Sequence, residues 1–181
     1  MNAGCYGGET WRYVTRVEVL TRAGIFELRQ AAEYATGYRS VRRADGCPVD
    51  GIFTAAWFAF PPGDGRVTRA RIAELLRRRI ASQPLDLPNA GSVFRNPPGD
   101  HAARLIESCG LKGYAVGAAR VSEKHANFIV NPQGMAKAAD IEAIIAHVRD
   151  VVRQRTGIDL VPEVLVLGEA ARSPLRGGID E

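Results

Sequence analysis

Three short stretches of this 181-residue chain combine residue types that could do chemistry. In Ala90-Gly91-Ser92-Val93-Phe94-Arg95-Asn96-Pro97 a hydroxyl, a guanidinium and a carboxamide fall within five residues. Such a set can give a proton, hold an anion and orient a ligand; a polar strand end would look the same. Pro162-Glu163-Val164 sets one carboxylate inside the otherwise apolar run 160–167. A glutamate there either faces solvent at a sheet edge or is buried with a perturbed pKa. Asn2-Ala3-Gly4-Cys5-Tyr6-Gly7-Gly8-Glu9 is rich in small residues, whose backbone a flat or phosphorylated ligand can approach closely. The same stretch also suits an ordinary turn.

Secondary-structure elements must position these groups. Thr15, Val17, Val19 and Thr21 alternate with Arg16, Glu18 and Leu20, the period of a half-buried strand, and Arg22-Ala23-Gly24 reads as its turn. Residues 27–35 read as a short turn or helix, and 36–50 as irregular. The near-continuous apolar and aromatic run 52–60 reads as a strand buried on both faces. Pro61-Pro62-Gly63-Asp64-Gly65 ends it and is the best domain boundary in the chain.

Beyond that boundary, Ile72, Leu75, Leu76 and Ile80 fall at helical spacing and predict an amphipathic helix over 67–81. Residues 83–89, with Pro84 and Pro88, read as an extended connector. Asp100 can N-cap a helix whose stripe is Ala102, Leu105, Ile106 and Cys109, with Gly110 just past its end. A strand follows over 126–130. The clearest helix covers 140–155, with Ile141, Ile144, Ile145, Val148 and Val152 on one face and Gly157 as its stop. Residues 160–167 read as a last strand interrupted by Pro162. Both kinds of element without regular alternation predict an α+β fold.

Composition narrows the classes. At 46% hydrophobic and 24% charged residues the chain can bury a core, and no apolar run approaches the roughly 20 residues of a membrane span. The net charge is +4, carried by 21 arginines against only Lys112, Lys124 and Lys137. Arginine suits phosphate and carboxylate because its planar fork offers paired donors; it also serves on plain solvated faces, as the stretch 66–79 suggests. Without a nucleic-acid motif, neither nucleic acid nor membrane is expected as a partner. Cys5, Cys47 and Cys109 form no C-x-x-C pair, and the three histidines lack ligand spacing, so no metal site is expected. Free thiols point to a reducing, cytoplasmic setting.

Read in order, the stretches resemble the UDP-N-acetylenolpyruvoylglucosamine reductase (UDP-N-acetylmuramate dehydrogenase) family. The resemblance runs through Met1-Asn-Ala-Gly-Cys-Tyr-Gly-Gly-Glu9, Gly37-Tyr-Arg39, and Gln83-Pro84 followed by 89–97. It continues through 103–113, Val121-Ser-Glu-Lys-His-Ala-Asn-Phe-Ile-Val-Asn131 and Pro162-Glu-Val164. The segment 89–131 is the most specific. The resemblance implies a flavin enzyme of cell-wall (peptidoglycan) precursor synthesis that uses FAD and NADPH to reduce UDP-N-acetylglucosamine enolpyruvate to UDP-N-acetylmuramate. It implies that Arg39 holds the substrate carboxylate, that Ser92 gives the proton, and that Glu163 works with Arg39 at the enolate-like intermediate. Gln83 and Asn96 match positions near the UDP-sugar, and Asn2, Gly4 and Gly7 match a flavin-contacting loop. Lacking a long tyrosine-bearing insertion between Gly110 and Val121, the chain resembles the shorter subclass.

The implied architecture is the last part of a two-subdomain FAD domain over 1–65, an α+β substrate domain over 66–171 and a flexible tail over 172–181. The family's N-terminal FAD subdomain has no counterpart before Asn2, so Met1 reads either as an internal methionine taken as a start or as the start of a truncated gene's product, and weak or absent flavin binding with impaired activity is the expectation. Three departures stand out: Ser40-Val41-Arg42-Arg43 after the Tyr-Arg pair, Leu165 where a basic residue is common, and no hydroxyl N-cap before Asp140. An isolated UDP-sugar-binding module without catalysis is the competing reading. The sequence leaves the oligomeric state open.

Overall fold

The computed structural model describes residues 4–168. Asn2 and the expected tail lie outside the described residues. The chain divides into two compact units, one up to Leu75 and one from Leu76.

The first unit is built from hairpins. Strands β1 (Gly4–Cys5) and β2 (Gly8–Glu9) pair antiparallel and lead through a short 3-10 turn, Thr10–Tyr13, into β3 (Val14–Thr21). β3 is the centre of an antiparallel sheet between β4 (Phe26–Gln30) and β7 (Gly51–Phe58). Between these edge strands, β5 (Tyr34–Gly37) and β6 (Ser40–Arg43) form a separate hairpin. The alternation over 15–21 therefore makes a strand as expected, with Val17 and Val19 buried against Trp11, Tyr34 and Phe53.

Three readings of this unit need correction. Residues 27–35 are mostly strand, with 3-10 geometry only at Ala31–Glu33, and 36–50 contain the second hairpin. Their mixed polar pattern hid them, because edge and two-stranded elements bury little and so carry weak periodicity. The apolar run after Gly51 is a strand, but Ile52 is 70% exposed and Phe58 46%. Only the face carrying Val17 and Val19 has a covering layer among the described residues.

Helix α1 (Gly65–Ser82) starts where the Pro-Gly stretch ends, and Asp64 accepts the Arg66 and Val67 N–H groups. Its stripe is not buried: Ile72, Leu76 and Ile80 are each about half exposed. The junction between the two units falls inside this helix.

The second unit carries the larger core. Strands β8 (Asn89–Ser92), β11 (Phe128–Val130), β10 (Ala119–Val121) and β9 (Ala115–Val116) form one antiparallel sheet in that order. Helices α2 (Ala102–Ser108) and α3 (Ala138–Thr156) pack on one face, where Leu105, Ile106, Ile144, Val148 and Val152 meet Val121 and Ile129. α3 ends at Gly157 with φ +74, the left-handed stop expected of it. At its start, Asp140 reaches back to accept the Lys137 N–H at 2.9 Å, supplying the cap that no hydroxyl provides.

Three expectations change here. Asp100 does not cap α2; it accepts the His101 N–H and pairs with Arg104, while Asn96 takes the N–H of Ala102, the first helical residue. Residues 83–89 turn rather than extend, with Leu85 and Leu87 N–H bonded back to Gln83 and Pro84. The run 160–167 is no strand: Pro162 makes a single bridge to Phe94, since proline lacks the donor a ladder needs.

Candidate functional site

Ser92 ends β8, and the residues before it decide how it is aimed. β8 pairs Ser92 with Phe128 and Asn89 with Val130, so three steps on β8 face two on β11. The extra residue makes a bulge at Ala90-Gly91, where Gly91 takes φ +80. Asn89 holds this turn: its Oδ1 accepts the Gly91 N–H at 2.8 Å, and its Nδ2 donates to the Leu87 and Pro84 carbonyls at 2.7 and 3.0 Å. Gly91 is thus needed for backbone geometry, and that geometry presents the half-buried Ser92.

The segment after Ser92 is held from both sides. The buried Asn127 accepts the Phe94 N–H at 2.9 Å and donates to the Phe94 carbonyl at 2.8 Å, as a neighbouring strand would. Its own carbonyl takes the Val93 N–H. Opposite, the Glu163 N–H donates to the Val93 carbonyl at 2.7 Å and the Arg95 N–H to Val161. Ser92 and Glu163 are therefore joined through one fixed backbone segment. Glu163 is half-buried, and its Oε2 is shielded from solvent. Asn96 is exposed at the α2 start, and Gln83 closes α1, where its Oε1 accepts from Arg79.

In the first unit, Arg39 sits at the tip of the β5–β6 hairpin with φ +52. A left-handed arginine is uncommon, and such backbone costs about 1–3 kcal/mol, a cost found most often at functional positions. Its guanidinium carbon lies 5.9 Å from the Tyr38 ring centroid. Arg39 lines an open concavity of about 840 Å³ together with Val41, Val49 and Phe53. The departure at 40–43 leaves this hairpin in regular register. Gly4 and Gly7 belong to the β1–β2 hairpin, where Tyr6 and Gly7 both have positive φ. A Cβ on Gly4 would collide with the Gly8 carbonyl, whereas Gly7 opens onto free space.

The strongest electrostatic cluster lies beside this hairpin. Arg29, 7% exposed, binds Asp50 at 2.6 Å and Glu27 at 2.6 Å and reaches the Tyr34 hydroxyl. The guanidinium holds the Asp50 carboxyl at about 2, well below its usual value. Among the described residues no group of three or more His, Cys, Asp or Glu could hold a metal ion, and no helix is long and apolar enough to cross a membrane.

Residues 83–167, which contain Ser92, Asn127 and Glu163, match the C-terminal domain of UDP-N-acetylenolpyruvoylglucosamine reductase. A relative from Thiobacillus denitrificans bearing that enzyme name is 56% identical over 171 residues, 93% of this chain and 51% of the relative. The chain belongs to the UDP-N-acetylenolpyruvoylglucosamine reductase family.

A second family member, from Methylococcus capsulatus, is 55% identical over 170 residues, covering 94% of this chain and 54% of its own length. The chain thus spans about half the length of the curated relatives it matches. The crystal structure of the family's enzyme from Thermus caldophilus superimposes with a TM-score of 0.71 at 34% identity, over 88% of this chain and 56% of that one. The mixed α+β fold is therefore shared. Motif reading singled out Ser92 and Glu163 and gave no role to Asn89 and Asn127, which hold the backbone around Ser92. Asn127 carries no local signal, since its partners are thirty-three residues away in sequence.

Proposed function

We propose that this chain serves the cytoplasmic reduction of UDP-N-acetylglucosamine enolpyruvate to UDP-N-acetylmuramate, with FAD and NADPH, in peptidoglycan precursor synthesis. The observation that supports this reading is the bond from the Glu163 N–H to the Val93 carbonyl, which runs the segment bearing a shielded carboxyl beside the residue that follows Ser92. The proposed division gives 1–65 to the FAD domain and 66–171 to the substrate domain. The exposed β1–β2 hairpin fits a flavin contact, because Gly7 presents bare backbone to open space. FAD, when bound, supplies the hydride that NADPH delivers to it.

Addition of hydride to the terminal carbon of the enolpyruvyl group pushes an electron pair toward its carboxylate. Arg39 is assigned to that carboxylate, where charge-assisted bonds strengthen as the negative charge grows. Ser92 then gives its hydroxyl proton to the adjacent carbon. A serine hydroxyl is a weak acid, so this role depends on a strongly basic carbon and on fixed geometry, which the Gly91 bulge and Asn127 supply. Glu163 is assigned to the intermediate, and Gln83 and Asn96 to the UDP-sugar.

The test is a split of half-reactions on the FAD-loaded chain. Ser92→Ala should leave NADPH-driven flavin bleaching intact and abolish UDP-N-acetylmuramate formation; equal loss of both steps would argue against proton donation. The second reading, UDP-sugar binding without catalysis, draws on the separate core of the second unit. It is supported if calorimetry detects UDP-N-acetylglucosamine binding by a chain that takes up no flavin.

A further inference from the structure

The pairing of β5 with β6 leaves a loop of two residues, Tyr38 and Arg39, closed by Gly37 opposite Ser40. Two-residue loops that suit the twist of paired strands take positive φ at the first loop residue, alone or together with the second. Here only the second, Arg39, is positive, at +52. The loop therefore works against the strand twist, and it sets an arginine in a conformation that favours glycine. A hairpin of two strands is marginal by itself even with a favourable loop. Groups outside the hairpin must hold this one in register.

Those groups sit at its base, the end away from Arg39. Tyr34 opens β5 opposite Arg43, the last residue of β6. The buried Arg29 of β4 donates to the Tyr34 hydroxyl at 3.4 Å. Its two terminal nitrogens also grip Asp50, just before β7, at 2.6 and 3.1 Å, and Asp50 in turn faces Arg43 at 3.9 Å. Glu27, on the same strand as Arg29, accepts from its Nε and Nη2 at 2.9 and 2.6 Å. One guanidinium thus ties β4, the start of β5 and the approach to β7 together. Backbone bonds close the base, from the Ala44 N–H to the Glu33 carbonyl and from the Arg43 N–H to the Cys47 carbonyl. The Tyr34 ring rests on Trp11 and Phe53, with centroids 5.3 and 5.4 Å away. A buried ion pair adds little stability over an apolar replacement, because desolvation offsets the attraction. What the planar fork of an arginine supplies is fixed geometry.

We propose that Arg29, acting through Asp50 and Tyr34, is a positioning residue for Arg39: it fixes the base of the β5–β6 hairpin so that the strained tip keeps its guanidinium in place. The use of Arg39 on the substrate carboxylate rests on the proposed function. The control of its backbone rests on the hairpin geometry alone.

The experiment compares the full chain with Arg29→Lys, which keeps the charge but loses the fork, and with Asp50→Asn, a milder change at an exposed position. NMR follows the contact between the amide hydrogen and Hα of Arg39, which is closest when φ is positive. That signature is expected to weaken in both variants while the β3 amide shifts stay unchanged. Calorimetry compares UDP-N-acetylglucosamine enolpyruvate with UDP-N-acetylglucosamine, which lacks the carboxylate. The wild-type chain should prefer the first by about tenfold, and both variants should cut that preference to about threefold without changing the affinity for the second. An unchanged Arg39 signature in both variants would overturn the proposal. So would a weakened signature with the full carboxylate preference, because the hairpin base would then not govern what Arg39 does. Loss of the β3 pattern in both variants would also overturn it, since the cluster would then only fold the unit. A wild-type chain without the preference, or an Arg39→Ala chain that keeps it, would overturn the role that the proposed function gives Arg39; the Arg39 signature then still decides whether Arg29 sets its backbone.

Discussion

Arg39 carries its guanidinium on a backbone that its own side chain disfavours. Replacing it with glycine removes the left-handed penalty at φ +52 and should raise the stability of the first unit by about 1 kcal/mol, read as a higher unfolding midpoint. Under the proposed function, the same change should abolish product formation in the FAD-loaded chain, because the carboxylate would lose its cation. A variant that is more stable yet inactive would identify the arginine as a residue kept for chemistry. Asn127 shows the opposite balance. It is 4% exposed and satisfies both polar groups of Phe94, so Asn127→Ala leaves a buried N–H and a buried carbonyl unpaired. Denaturant unfolding should show a loss of about 2–4 kcal/mol, and the Phe94 amide should lose its protection from hydrogen exchange.

Among the elements, the β8 bulge is the part that converts sequence into a site. A Cβ at Gly91 meets no atom within 4 Å, so Gly91→Ala tests backbone conformation alone. The expected cost is about 1–2 kcal/mol for an L-residue held at φ +80, together with a turnover loss larger than any change in substrate affinity. The hairpins of the first unit depend instead on Arg29. Asp50 titrates at about 2 when folded against an ordinary 3.8, so its ionised form favours the folded state. This contribution is complete above about pH 4 and is lost as the pH falls toward 2. Asp50→Asn should therefore flatten the acid limb of the stability curve over that window, as followed by circular dichroism. Arg29 and Asp50 are twenty-one residues apart, and neither lies in a recognisable motif, so the pair could not be read from the chain.

At the scale of the whole molecule, the two units differ in what holds them. Among the described residues, fifteen buried ones make the core of the second unit, while Val17, Val19 and Tyr34 make that of the first. Buried apolar area is the main stabilising term, so the first unit should open at lower denaturant and be cleaved first by protease. Mass spectrometry of a limited digest should find cuts before Leu75 well before cuts in the β8–α3 region. Equal rates across both units would contradict this ordering.

By itself the sequence determined the family, the α+β class, the strand at 15–21 and the strongly periodic helix with its Gly157 stop. These are legible because they depend on local order: a period of 3.6 or 2, a glycine stop, a string of residue types. Tertiary structure decided what depends on partners. It turned the apolar run after Gly51 into a strand with one uncovered face, since burial requires a second layer and hydrophobicity alone does not supply one. It made strands of the weakly patterned 26–43, whose ladders come from pairing with β3 and with each other. It reduced 160–167 to a single bridge at Pro162, yet placed Glu163 against Val93. Hydrogen bonds between residues far apart in the chain leave no trace in local pattern, and the holding of Ser92 rests on bonds of that kind.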